Sequence, residues 1–149
     1  MAECRTCELL AVRDAGEAPP RDNVIRTAHW DVVHAFGTAI EGWLVLILRR
    51  HAGAISELDE AEAAEFGPLV VRVSRALEET TGCERTYVAL FAEDPAHRHV
   101  HVHVVPRFPD QPDELRGVRV FSRLGLSDED SVTPERMDEL ALALRQRLA

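Results

Sequence analysis

The sequence contains no lysine; all 17 of its basic residues are arginine. That absence has two readings. Guanidinium forks grip phosphate at two points, or a coding bias in the source genome has removed lysine without functional consequence; the second is the plainer. Positive charge is scarce overall. Against 26 acidic residues the net charge is −9, which disfavours a general nucleic-acid-binding surface. Long hydrophobic runs are missing too. The longest, Gly42 to Leu48, falls well short of the roughly 20 residues that cross a bilayer. The opening Met1-Ala2-Glu3-Cys4-Arg5-Thr6-Cys7 lacks the basic-then-apolar order of a secretory signal. The expected setting is therefore cytoplasmic and away from membranes, with the three cysteines reduced rather than disulfide-bonded. There is no internal repeat and no low-complexity tract. A chain of 149 residues, 46% hydrophobic and 29% charged, is expected to fold as one domain with its own core. Residues 1–107 read as the core of that domain and 108–149 as a C-terminal extension of loop and helix.

Along the chain, Thr6 to Ala15 suits a short helix stopped by Gly16, and the segment from Glu17 to Asn23 is a loop by its Pro/Asp/Asn content. Val24 to Thr27 and Trp30 to Phe36 read as short strands. Trp43 to Leu48 is continuously apolar, as in a central strand covered on both faces. Asp59 and Glu62 form a capping-box pair ahead of a helix whose apolar residues (Phe66, Leu69, Val70, Val73, Ala76, Leu77) recur at helical spacing. Gly82 supplies its stop, and Pro68 inside it is expected to kink or split it. Arg85 to Phe91 is a further strand, followed by a turn through Asp94-Pro95 and a histidine-rich strand to Arg107. Phe108 to Asp130 is expected to be mostly loop. A last helix begins at Thr133-Pro134, with Met137, Leu140, Ala141, Leu144 and Leu148 as its apolar stripe. Strands do not alternate regularly with helices, so the expected class is α+β with an antiparallel sheet.

The densest chemistry lies in His97-Arg98-His99-Val100-His101-Val102-His103, followed by Val104-Val105-Pro106-Arg107. The alternation has the period of a strand. It places Val100, Val102 and Val104 toward a core, with His99, His101 and His103 along the opposite, exposed face. Histidine suits proton transfer, nucleophilic attack and metal ligation near neutral pH. At about 3.3 Å per residue, His99 and His103 lie roughly 13 Å apart at their Cα atoms, so separate roles are more natural than one metal cluster. His97 falls outside the alternation and reads as a surface residue. Cys4-Arg5-Thr6-Cys7 is a Cys-x2-Cys half-site, which needs two further ligands to close a structural metal site. Cys83 reads as an ordinary small residue.

The run His99-Val100-His101-Val102-His103-Val104-Val105, with Pro106-Arg107 after it, resembles the histidine triad pattern of alternating histidine and hydrophobic residues. The similarity extends over Cys4 to Arg107 and is closest to zinc-containing bacterial members. The resemblance implies the histidine triad fold, an antiparallel five-stranded sheet with one long helix and a C-terminal helix. It implies that His101 attacks the α-phosphorus of a nucleotide ester, anhydride or phosphoramidate to give a nucleotidyl-histidine, without need of magnesium. His103 would contact phosphate oxygens or the leaving group, with Arg107 among the substrate-binding residues. It completes the half-site as Cys4, Cys7, His51 and His99 around a structural zinc. It also implies a homodimer with a small-molecule nucleotide as substrate. Several positions depart from the pattern. Asp94-Pro95-Ala96 stands where phosphate-holding residues are usual, Ala35 stands where an acidic residue often grips ribose, and Gly42-Trp43 and Leu48-Arg49 replace Gly-His and Pro-Lys pairs. Substrate identity is thereby open, as is the second acceptor, water or phosphate or another group. A non-catalytic nucleotide-binding protein and a metalloenzyme with His99 and His101 on one catalytic metal are the competing classes. Arg116, Arg119 and Arg123 of the extension could close over a pocket.

Overall fold

A computed structural model describes residues 3–149; Met1 and Ala2, the start of the segment read above as lacking a leader, lie outside the described residues. Among the described residues, three α-helices flank one five-stranded sheet. In chain order the elements are α1 (Arg5–Asp14), β1 (Ile25–Arg26), β2 (Trp30–His34), β3 (Leu44–Leu48), α2 (Glu60–Thr81), β4 (Arg85–Ala89), β5 (His101–Arg107) and α3 (Pro134–Leu148). The sheet order is β1-β2-β3-β5-β4, and every pairing is antiparallel. The long excursion through α2 thus returns the chain to the far side of the sheet, and β5 inserts between β3 and β4. None of the described helices is long and apolar enough to cross a membrane.

Local sequence accounts for the element ends. Asp59 and Glu62 close a reciprocal capping box on α2, and Gly82 ends that helix at φ 74°, a left-handed conformation that glycine adopts without Cβ strain. Thr133 caps α3 ahead of Pro134. Pro68 does not split α2, which runs unbroken from Glu60 to Thr81. The carbonyl it deprives of a partner belongs to Ala64, which is exposed, so water can satisfy it.

Two apolar layers cover the two sheet faces. On one, Val100, Val102 and Val104 pack with Leu69, Val73 and Leu77 of α2 and Ala141, Leu144 and Leu148 of α3. The apolar stripe of the C-terminal helix is therefore part of the same core as the sheet. On the other, Leu10 of α1, Ala35, Trp43, Val45, Ile47, Val105 and Val120 form a second cluster. β3 is buried along its whole length, because it lies between both layers.

This second layer corrects one expectation. The histidine face is not exposed: His99, two residues before β5, and His103 are buried and His101 is half-buried. The cover comes from α1 and from residues 117–126, which include a 3-10 helix over Gly117–Arg123, so the extension is less irregular than its composition suggests.

Candidate active site and metal centre

β3 and β5 set the floor of the site. Their antiparallel register places Ile47 opposite His101 and Val45 opposite His103, so both imidazoles rise from the same sheet face. Above them is a cavity of about 540 Å³, within the size range of small-ligand pockets. Its walls come from α1 (Leu9, Leu10, Arg13), from β2 and the turn after it (Asp31, Val33, Ala35, Phe36), from the loop before β5 (Phe91, Asp94, His97) and from residues 121–126. Aromatic rings frame it: Phe91 and Phe121 meet edge-to-face at 5.0 Å, and Phe121 also meets the His103 ring at 5.3 Å.

The His101 ring is fixed by its own strand. Its Nδ1–H donates to the His99 carbonyl at 2.6 Å. A carbonyl only accepts, so the neutral ring carries its proton on Nδ1 and keeps a lone pair on Nε2. Burial lowers the His101 pKa below the usual histidine range, which keeps that lone pair free near neutral pH. His103 lies alongside, ring centroids 5.3 Å apart. Burial, reinforced by His101, pushes its pKa down to about 4. The indole of Trp43 bonds to His103 at 3.0 Å.

At the α1 end the wall is charged. Asp31 is buried and accepts two hydrogen bonds from Arg26 at 2.7 and 2.8 Å. It also lies 3.5 Å from the buried guanidinium of Arg13, whose Nη2 is buried without a hydrogen-bond partner. Asp94 lines the cavity but turns its carboxylate to the Ala96 backbone N–H at 2.9 Å.

Behind His101 lies a second constellation. Cys4, Cys7, His51 and His99 bring one ligand atom each within 4.8 Å of one another. The His51 and His99 Nδ1 atoms are 3.1 Å apart, and sulfur-to-nitrogen separations are 3.3 Å (Cys7–His51), 3.5 Å (Cys7–His99) and 3.6 Å (Cys4–His99). A tetrahedral zinc with its usual bond lengths sets edges of about 3.4 Å between nitrogens and about 3.6 Å between nitrogen and sulfur. The donor set therefore fits such an ion without rearrangement. His99 Nε2–H donates to the Leu48 carbonyl at 2.6 Å, which leaves Nδ1 as the ligating atom and aims it.

Solved structures share this architecture. A histidine triad protein from Bradyrhizobium japonicum is 25% identical, with 85% of this chain and 90% of that one covered at a TM-score of 0.69. His101 and His103 sit on β5, an inner strand of the sheet, with His99 just before it. The chain has the histidine triad fold. A Zn-bound histidine triad family protein from Mycobacterium smegmatis matches at a TM-score of 0.66, 20% identity and 97% and 92% coverage. A hypothetical histidine triad nucleotide-binding protein from Sulfolobus tokodaii matches at 0.71, 16% identity and 95% and 91% coverage. No sequence-family model matches the chain, and no curated protein does.

Within this histidine triad fold, the residues singled out from sequence fall into three places. His101 and His103 meet at the cavity, and Cys4, Cys7, His51 and His99 meet at the knuckle. Arg107 joins neither. It is buried at the far end of β5 in an ion pair with Glu84 and does not line the cavity. His97 is more engaged than a surface residue: it bonds Thr6 of α1 at 3.0 Å and lines the cavity. Trp43 and Phe121 were missed as site residues, because an apolar run and a Pro/Gly-rich tail carry no local sign of what they cover.

Proposed function

We propose that the protein is a nucleotide hydrolase or nucleotidyl transferase that cleaves at the α-phosphorus of a nucleoside polyphosphate or phosphoramidate. The observation that carries this reading is the protonation pattern of His101, a half-buried imidazole with Nδ1–H tied to the His99 carbonyl on the floor of a nucleotide-sized cavity. Nε2 attacks phosphorus, a nitrogen–phosphorus bond forms, and the bond to the leaving oxygen or nitrogen breaks. The leaving group departs with that electron pair and takes up a proton from solvent. The ring then holds phosphorus on Nε2 and hydrogen on Nδ1, so it carries positive charge; the His99 carbonyl stabilises that charge in place. Water attacks next, the nitrogen–phosphorus bond breaks, the pair returns to Nε2, and a proton passes to solvent. A phosphate or other acceptor in place of water makes the same chemistry a transfer. His103 contacts the phosphate or leaving group, and the apolar walls hold the nucleoside. Arg107, engaged by Glu84, is left out of the contact set.

Zinc is the ion we propose for the Cys4, Cys7, His51 and His99 set. Four protein ligands make it a closed, structural site that ties α1 to the triad strand. It supplies no open coordination position for chemistry. The chain is further proposed to act as a homodimer through the open edge of β4, where Val88 is 48% exposed; sedimentation showing a monomer at all concentrations would remove that proposal.

The test is a turnover screen of wild type against His101→Ala with diadenosine polyphosphates, adenosine phosphoramidates, nucleotide sugars and guanosine analogues. At least one substrate should lose turnover by several orders of magnitude in the variant while fold and metal content persist. No turnover of any of these by wild type, with nucleotide still bound, would favour a binding protein on the same scaffold.

A further inference from the structure

The residue before β3, Trp43, is completely buried, yet its one polar atom is not wasted. The indole Nε1–H points at His103 Nδ1 across 3.0 Å, and the two rings meet nearly perpendicular, at 83° with centroids 5.8 Å apart. Phe121 packs edge-on against the same indole at 5.2 Å, so the ring has little freedom to turn. An indole nitrogen can donate a hydrogen bond but cannot accept one. His103 Nδ1 must therefore present a lone pair, and a neutral imidazole with a lone pair on Nδ1 carries its hydrogen on Nε2. His103 is neutral at ordinary pH, because burial holds its pKa down to about 4.

We propose that Trp43 is a positioning residue that fixes His103 as an Nε2–H donor aimed at the cavity. The His103 ring lines that cavity, and Nδ1 is already engaged by Trp43. The arrangement is the mirror of the one at His101. There a carbonyl, which only accepts, forces the hydrogen onto Nδ1 and leaves the lone pair on Nε2. Two imidazoles 5.3 Å apart thus turn opposite faces of the same chemistry to one ligand, a nucleophile from His101 and a hydrogen-bond donor from His103. A histidine at position 43, unlike a tryptophan, offers either a donor or an acceptor and would leave the His103 hydrogen free to move. A donor in this place suits an oxyanion: it stabilises negative charge on a phosphoryl oxygen as the nucleophile closes. That chemical use rests on the function proposed above, whereas the placement of the hydrogen does not.

The test separates the two. Long-range proton–nitrogen correlation spectra of the metal-loaded protein report which nitrogen of His103 bears hydrogen. Two variants are compared with wild type: Trp43→Phe, and Trp43 replaced by β-(3-benzothienyl)alanine, which keeps the ring shape and exchanges N–H for sulfur. Wild type should show His103 hydrogen on Nε2. In both variants the signal should move to a mixture that includes the Nδ1–H form, with the His101 pattern unchanged. Affinity for adenosine monophosphate should fall in proportion to the Nε2–H fraction that remains, about twofold where the two forms are equal. His103 remaining purely Nε2–H in the benzothienyl variant would overturn the proposal even if Trp43→Phe fails to fold. A wild type with the expected His103 form that turns over no nucleotide would instead overturn the proposed function and leave the role of Trp43 standing.

Discussion

Asp31 sits where a single substitution has a calculable cost. Its carboxylate is wholly buried, with two bonds from Arg26 and a 3.5 Å approach from Arg13 Nη1. Arg26 is partly exposed and has a second partner in Asp14 at 2.7 Å, so it keeps a counter-charge when Asp31 is removed. Arg13 does not. Its side chain is 5% exposed, its Nη2 is already unpartnered, and its remaining bond is a long one of 3.5 Å to the Val32 carbonyl. Asp31→Ala therefore strands a buried guanidinium, a class of change that costs about 3–5 kcal/mol. That is a large part of the roughly 5–15 kcal/mol that holds a domain of this size together. The cost lies in the uncompensated charge, so removing the charge as well should return much of it. The double variant Asp31→Ala, Arg13→Met is expected to be more stable than Asp31→Ala alone, with a coupling energy of about 2 kcal/mol or more. Urea denaturation of wild type, Asp31→Ala, Arg13→Met and the double variant at one pH and one metal concentration measures this directly. A single-variant loss below about 1 kcal/mol, or costs that simply add, would refute the claim that Arg13 depends on Asp31.

Three further expectations follow from the same geometry. His103 is held at about 4 in the fold against about 6.5 unfolded, so the unfolded chain binds more protons between those values and stability falls as pH drops through that window. The loss from this group is about 2 kcal/mol between about pH 7 and about pH 5, and His103→Asn should show an acid-side decline smaller by that amount in denaturant titrations. His51→Ala removes one of four donors; metal content by mass spectrometry should fall well below that of wild type, and amides of α1 should exchange faster, because the helix loses its tie to the sheet. Unchanged metal content would contradict the assignment of His51. Gly42 holds φ at 84°, and a Cβ there would meet Leu77 and Thr81 at 3.2 and 3.3 Å. Gly42→Ala should cost about 1–2 kcal/mol, read as a lower midpoint of thermal unfolding, and it should also disturb Trp43 next in sequence.

Features written in local pattern are legible in the sequence. The capping box at Asp59, the Gly82 stop and the apolar stripe from Met137 to Leu148 all reappear as helix ends and buried faces. The apolar run at Leu44–Leu48 does lie at the centre of the sheet with both faces covered. The alternation in β5 does divide valines from histidines. What could not be read was which side of the sheet meets solvent. The histidine face is covered by α1 and residues 117–126, about a hundred residues apart in sequence, and period-two alternation says nothing of such partners. Arg107 was read by its position in a motif, but its environment is set by Glu84, the residue before β4. Trp43 read as part of a central apolar run and as a departure from a Gly-His pair, with no role for its N–H. Its indole N–H matters only because the β3–β5 register brings His103 beside it.

The proposed function turns on a covalent bond between His101 Nε2 and phosphorus. The most direct measurement is a rapid alkaline quench of wild-type protein mixed with a labelled nucleoside phosphoramidate, followed by intact-mass and peptide analysis. One nucleoside monophosphate unit per chain is expected, on the peptide that carries His101 and absent from His101→Ala. Turnover of that substrate with no trapped adduct in single-turnover mixing, or an adduct that persists in His101→Ala, would contradict it.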